Sequence, residues 1–114
     1  MRILMVSILA VGLVACSDQK KETASGDPLI ADGRAIAEDQ CSRCHAVGTS
    51  GVSLHPNAPV FRTILSRYAE DALANDLAEG IRIGHPDMPR IALRPEGVDA
   101  LIAYLKSIQE KPPG

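Results

Sequence analysis

Apolar residues recur at intervals of three and four near the end of the chain, and this spacing predicts an amphipathic helix. The stripe that they form consists of Val98, Leu101, Ile102, Leu105 and Ile108. Pro95 suits the first position of this helix, because proline lacks the N–H that would have no partner there. Arg94, just before it, is a poor N-cap residue. We therefore expect a helix with Pro95 at its first position and a start that frays.

The earlier part of the chain indicates further helices. Asp27 suits the N-cap and Pro28 the first position of a helix that reaches Cys41. No segment shows the strict alternation of apolar and polar residues that is typical of a strand. The remaining periodicities predict a short helix over Phe61–Tyr68, and one marked by Leu73, Leu77 and Ile81 that ends near Gly80.

The chain starts with a short positive segment, Met1-Arg2, followed by an almost entirely apolar run over residues 3–15. This run is too short to span a bilayer, which takes about 20 residues, but it is typical of a secretory signal peptide. Its end, Leu13-Val14-Ala15-Cys16, resembles the lipobox of bacterial lipoproteins. We expect residues 1–15 to be a lipoprotein signal peptide and Cys16 to be lipidated. The alternative is an ordinary signal peptide with a chance cysteine at its end.

Residues 16–27 are predicted to form a lipidated, flexible tether. Ala24 is the only apolar residue between Ser17 and Asp27, so this segment cannot bury enough surface to order itself. A flexible chain of this length has an r.m.s. reach of roughly 18 Å. The protein is therefore expected at the periplasmic face of a bacterial membrane, anchored through Cys16. Without the lipid it would be soluble in the periplasm.

Composition and net charge bear on the class of protein and on the stability of its core. The chain has 114 residues, with 12 basic and 14 acidic side chains and a formal net charge of −2, which argues against a nucleic-acid-binding protein. Its aromatic residues are Phe61, Tyr68 and Tyr104, with no tryptophan. A small domain with so few bulky side chains is marginally stable unless another group supplements its core.

The three cysteines separate into two groups. If Cys16 is lipidated, Cys41 and Cys44 remain, in the sequence Cys41-Ser42-Arg43-Cys44-His45. This is the C-x-x-C-H signature of c-type haem attachment. Thiols three residues apart lie on one face of a helical turn, where they can add to the two vinyl groups along one edge of the porphyrin. His45 then presents a ring nitrogen to the iron as the proximal ligand.

Two other interpretations of this motif are weaker. A thioredoxin-like C-x-x-C would need a neighbouring βαβ pattern, and the sequence has none. A zinc site could use Cys41, Cys44, His55 and His85, but these histidines do not follow the usual spacing of a zinc finger.

A second axial ligand is needed for a low-spin electron carrier, and Met88 is the only methionine after the signal peptide. It lies in Gly84-His85-Pro86-Asp87-Met88-Pro89, where proline and glycine disfavour regular structure. A rigid loop that projects a thioether suits an axial ligand, and methionine–histidine ligation raises the iron potential. The rival ligands are His85, on the same loop, and His55.

The other ring nitrogen of His45 needs a hydrogen-bond acceptor that fixes its orientation. A backbone carbonyl in the following loop would serve. Pro59 is our candidate and Pro56 the alternative.

With these residues in place, the sequence resembles a class I c-type cytochrome, small and monohaem, of the bacterial lipoprotein kind. The resemblance covers about Leu29 to Gln109. The family places a glycine eight residues before the first haem cysteine, as at Gly33, so that the first and last helices cross closely. It places Leu-x-x-Tyr-Leu at that crossing, which matches Leu101 to Leu105, and a proline after the axial methionine, which matches Pro89.

The resemblance implies an all-α, cytochrome c-like fold over residues 28–110, with three to five helices wrapped around one covalently attached haem c and its iron. The sequence departs from the family at Ala37, where many members have an aromatic residue four positions before the first cysteine. It also lacks the tryptophan that in some members binds a haem propionate. The possible substitutes are Arg62, Arg67 and Tyr68.

The function that follows from the resemblance is one-electron transfer on the periplasmic side of a membrane, by a carrier that is not an enzyme. Its donor and acceptor would be membrane or periplasmic redox proteins, and the chain would be a monomer that does not bind nucleic acid. The alternative is a haem-based module that binds or senses a gas or peroxide, in which Met88 dissociates from the iron.

Overall fold

We describe residues 26–80 and 86–111 of a computed structural model. The predicted signal peptide, Cys16 and the tether up to residue 25 lie outside these ranges, as do Ile81 and His85. The described residues contain no strand, which confirms the all-α prediction. None of their helices is long and apolar enough to cross a membrane. The helices are α1 (Pro28–Gln40), a 3₁₀ helix (Phe61–Ser66), α2 (Glu70–Glu79) and α3 (Pro95–Ile108).

The ends of the α-helices agree with the local sequence signals. The Asp27 carboxylate accepts a hydrogen bond from the backbone N–H of Leu29 at 2.9 Å, and Pro28 occupies the first position of α1. α3 begins at Pro95 with no side-chain cap from Arg94. α2 ends at Gly80, whose φ of 68° places it in the left-handed region that glycine tolerates best. The predicted short helix is a 3₁₀ helix and ends at Ser66 rather than Tyr68.

The first and last helices cross in direct backbone contact. A Cβ atom added to Gly33 would lie 1.9 Å from the carbonyl oxygen of Ala100 and 2.7 Å from the Cβ of Tyr104. Ala37, one turn further along α1, is completely buried. A small side chain therefore occupies the position at which many members of the resembled family have an aromatic ring, and the helices still pack closely.

Tyr104 connects this crossing to the loop that follows His45. Its ring is buried, and its hydroxyl donates a hydrogen bond of 2.6 Å to the carbonyl of Val47. Burial raises the pKa of Tyr104 above its ordinary value, so the hydroxyl remains a donor at neutral pH. Helix α3 thereby positions the chain just after the C-x-x-C-H motif.

Gln109 links the end of α3 to the 3₁₀ helix. Its amide nitrogen donates to the carbonyls of Phe61 at 2.7 Å and Leu105 at 2.9 Å, and its amide oxygen accepts from the N–H of Leu65 at 3.1 Å. One side chain thus binds two backbone groups of the 3₁₀ helix and one of the last carbonyls of α3, which α3 itself leaves without a partner. The 3₁₀ helix is held against α3 as a result.

We predict that Gly33→Ala lowers the free energy of unfolding of the haem-loaded protein by about 1–3 kcal/mol or more, because the added methyl group overpacks a backbone contact. Urea unfolding followed by circular dichroism measures the change. Gly48→Ala is the matched control, since a Cβ at Gly48 would meet no atom within 4 Å. Equal stabilities of the two variants would contradict the close crossing.

Candidate haem site

A cavity of about 320 Å³ lies between the helices, a volume in the range of small-molecule and cofactor sites. All four helices contribute apolar side chains to its wall. These are Ile36 from α1, Phe61 and Ile64 from the 3₁₀ helix, Leu73 and Leu77 from α2, and Leu101 and Leu105 from α3. The segment before α3 adds Ile91 and Leu93. The helices therefore surround an apolar space that their own side chains do not fill.

The two cysteines reach this cavity from a turn that continues α1. Cys41 follows the last residue of α1, and its carbonyl accepts hydrogen bonds from the N–H groups of Cys44 at 3.2 Å and His45 at 3.0 Å. Neither cysteine is in a disulfide, and both line the cavity with His45. Burial raises the pKa of the Cys41 thiol to about 11, so that without a bound group it stays protonated at neutral pH.

Two contacts hold the imidazole ring of His45 in place. Its Nδ1 lies 2.7 Å from the carbonyl oxygen of Pro59. Because a carbonyl oxygen only accepts, Nδ1 carries the proton, and Nε2 keeps its lone pair. The ring of Phe61 packs against the imidazole, with centroids 5.0 Å apart. The acceptor is thus the carbonyl of Pro59, our sequence candidate, while its role in orienting an iron ligand stays a prediction.

Met88 lines the same cavity as Cys41, Cys44 and His45, and its side chain is half-buried. The structure therefore brings together all the predicted haem-binding residues within the described ranges. Ligation of the iron by Met88 stays a prediction, as do the two thioether bonds.

Of the two histidines that are alternative ligands, the structure describes His55 but not His85. His55 also lines the cavity, but its Nδ1 accepts a hydrogen bond from the N–H of Asn57 and its Nε2 lies near Asp87. His85 lies outside the described residues. Within residues 26–80 and 86–111, no three His, Cys, Asp or Glu side chains are grouped as in a metal site.

Of the three suggested partners for a haem propionate, two lie at the cavity and one does not. Arg67 and Tyr68 line it. Arg62 instead donates to the carbonyl of Gly51 at 2.8 Å and pairs with Glu110 at 3.1 Å. Its guanidinium therefore links the loop after His45, at Gly51, to Glu110 after α3.

The sequence did not predict the positioning roles of two side chains, Tyr104 and Gln109. The hydrogen bond from Tyr104 to Val47 and the three bonds of Gln109 join residues more than 40 positions apart, apart from the one to Leu105. The only sequence signal was the Leu-x-x-Tyr-Leu pattern, which placed Tyr104 at the helix crossing but not its hydroxyl at a carbonyl. Gln109 gave no signal, because a polar residue after a helix is ordinary.

The residues at this cavity fit a haem c group. Two free thiols, an imidazole with an available lone pair and a thioether all line one apolar space. These are the donors that attach the porphyrin edge and ligate the iron in c-type haem sites. The apolar walls suit a large, flat and mainly hydrophobic group.

Comparison with known proteins agrees with this fit. A protein-family model described as "Cytochrome c" matches residues 30–109. Searches of curated proteins and of solved structures found no match. The matched range covers more than half of the chain and includes the C-x-x-C-H motif, Met88 and both crossing helices. Proteins of this family carry covalent haem c with iron. The chain belongs to the cytochrome c family.

Proposed function

We propose that this cytochrome is a one-electron carrier whose haem iron is held between His45 and Met88. Family membership supports haem-based electron transfer. The observation that carries the finer proposal is that Cys41, Cys44, His45 and Met88 line one apolar cavity. In this proposal Cys41 and Cys44 would hold the porphyrin, and His45 and Met88 would ligate the iron.

Each of these residues has a defined task. When bound, the haem supplies an iron that cycles between the ferric and ferrous states. The Cys41 and Cys44 thiols would hold the porphyrin through thioether bonds to its two vinyl groups. Pro59 and Phe61 fix the His45 ring, and the apolar walls exclude water from the site.

We propose a carrier rather than an enzyme. If His45 and Met88 both held the iron, they would leave no open site on it for a substrate, and only electrons would need to pass. Electron-transfer encounters are typically small and transient. The partners are therefore expected to be membrane or periplasmic redox proteins that bind this monomer briefly, and the slightly acidic net charge gives no reason to expect nucleic acid among them.

We also propose that the carrier is tethered to the periplasmic face of a membrane through Cys16. The lipobox-like end of the signal sequence and the polar residues 16–27 support this arrangement. A single acyl chain gives only marginal membrane binding, whereas two or more chains hold a protein stably.

The axial ligand is tested by the optical spectrum of the haem-loaded protein. We expect the ferric protein to show the weak long-wavelength absorption of a thioether–iron bond, and Met88→Ala to lose it, because no other methionine follows the signal peptide. His85→Ala is the matched control and should keep the band. Absence of the band from the wild type, or its retention in Met88→Ala, would reject the proposed ligand.

Exposure of the reduced protein to carbon monoxide separates a carrier from a sensor. We expect no spectral shift at neutral pH in the wild type, because Met88 occupies the iron, and a clear shift in Met88→Ala. A wild-type shift as large as that of the variant would favour the gas-binding alternative.

Removing both thiols is expected to prevent formation of a folded, haem-containing protein. In Cys41→Ala with Cys44→Ala, the cavity of about 320 Å³ loses the group that fills it, and the few aromatic side chains do not compensate. Far-UV circular dichroism and a haem assay measure the outcome. Ser50→Ala, in the exposed loop, is the control and should behave as the wild type. Native helicity in the double variant would contradict this prediction.

The tether is tested by cell fractionation in a bacterium that matures c-type haem. We expect the full chain to sediment with membranes. A chain with an ordinary cleavable signal peptide and Cys16→Ser should be released by osmotic shock with an unchanged haem spectrum. Equal distribution of the two proteins would exclude the lipid anchor without affecting the haem site.

A further inference from the structure

Residues 55–59 form a turn that is bonded to the haem-attachment motif at two places. The backbone N–H of His55 donates to the carbonyl of Cys44 at 3.1 Å. Within the turn, the N–H of Ala58 donates to the carbonyl of His55 at 3.1 Å. Its last residue, Pro59, provides the carbonyl that accepts from Nδ1 of His45. The turn is therefore fixed against the proximal side of the cavity.

The side chain of His55 extends from this turn towards the loop of Met88. Its Nδ1 accepts a hydrogen bond of 3.1 Å from the N–H of Asn57, so this nitrogen carries no proton. The proton of the neutral ring is then on Nε2, which lies 3.4 Å from a carboxylate oxygen of Asp87. The contact is a long polar one in which Nε2–H faces a negative charge.

Asp87 directly precedes Met88, and His55, Asp87 and Met88 all line the haem cavity. The contact between His55 and Asp87 thus joins the loop that carries the thioether to the turn that holds the proximal histidine. The side chain of His55 is 30% exposed and that of Asp87 is 66% exposed, so the contact lies at the mouth of the cavity.

We propose that His55 is a positioning residue for Met88. It restrains the loop of Met88 by holding Asp87, and so lowers the population of states in which the thioether has left the iron. This inference rests on the proposed ligation of the iron by Met88. His55 does not itself touch the iron in this arrangement, because both of its ring nitrogens face protein groups.

The free energy of the contact between His55 and Asp87 is expected to be small, and this determines which measurement can detect it. A partly exposed contact between a ring N–H and a carboxylate contributes little to global stability, so an unfolding experiment would not detect the contribution of His55. Displacement of Met88 by an external ligand depends directly on the population of detached thioether. A ligand that binds only the detached state gains affinity in proportion to that population.

The experiment is a titration of the ferric, haem-loaded protein with imidazole. We expect His55→Leu and Asp87→Ala each to bind imidazole about two- to fivefold more tightly than the wild type, the range of an exposed charge contact. The double variant should match either single variant, because both remove the same contact. His55→Gln should restore part of the wild-type behaviour, since its amide also offers a donor.

A matched control removes a different exposed charge contact. Arg34 and Glu38 pair at 2.8 Å on the surface of α1, and neither lines the cavity. Arg34→Gln should bind imidazole as the wild type does. Melting curves of all variants establish that the compared proteins are folded.

The outcomes separate this inference from the proposed function. If the wild type lacks the thioether–iron absorption, ligation by Met88 is wrong and this inference is overturned with it. If the wild type has that absorption but His55→Leu and Asp87→Ala bind imidazole with wild-type affinity, only the positioning role is overturned. Effects that simply add in the double variant, or an equal effect in Arg34→Gln, would overturn it as well.

Discussion

The close approach of α1 and α3 at Gly33 is the contact on which the rest of the structure depends. α1 ends where the haem-attachment motif begins, so the position of Cys41 is set by how α1 lies on α3. α3 in turn supplies Leu101 and Leu105 to the cavity wall and holds Val47 through Tyr104. A displaced crossing would move the attachment site and the opposite wall of the cavity relative to each other.

The cavity links the stability of this small chain to its cofactor. Its only aromatic side chains are Phe61, Tyr68 and Tyr104. The helices surround an apolar space, and each of the four described helices lines it. A covalently attached haem, as the family carries, would fill this space, so that one group would serve both the core and electron transfer.

The features that could be predicted from the sequence are those that depend on residues close together in the chain. Asp27 with Pro28, Pro95 and Gly80 define helix ends through backbone chemistry within a few residues, and the α-helix bounds follow them closely. The spacing of the two cysteines and the histidine in C-x-x-C-H is enough to indicate haem attachment. The 3₁₀ geometry of Phe61–Ser66 was not predictable, because it depends on Gln109, more than 40 residues away. The contact of His55 with Asp87 depends on tertiary packing in the same way.

The crossing of α1 and α3 joins residues from the two ends of the domain, and this separation affects how the chain acquires its structure. Contacts between distant positions carry a large loop-closure entropy and form slowly. Gly33 cannot meet Ala100 until the chain has been synthesised as far as α3. α1 and the C-x-x-C-H motif that follows it are therefore made well before the helix against which α1 packs.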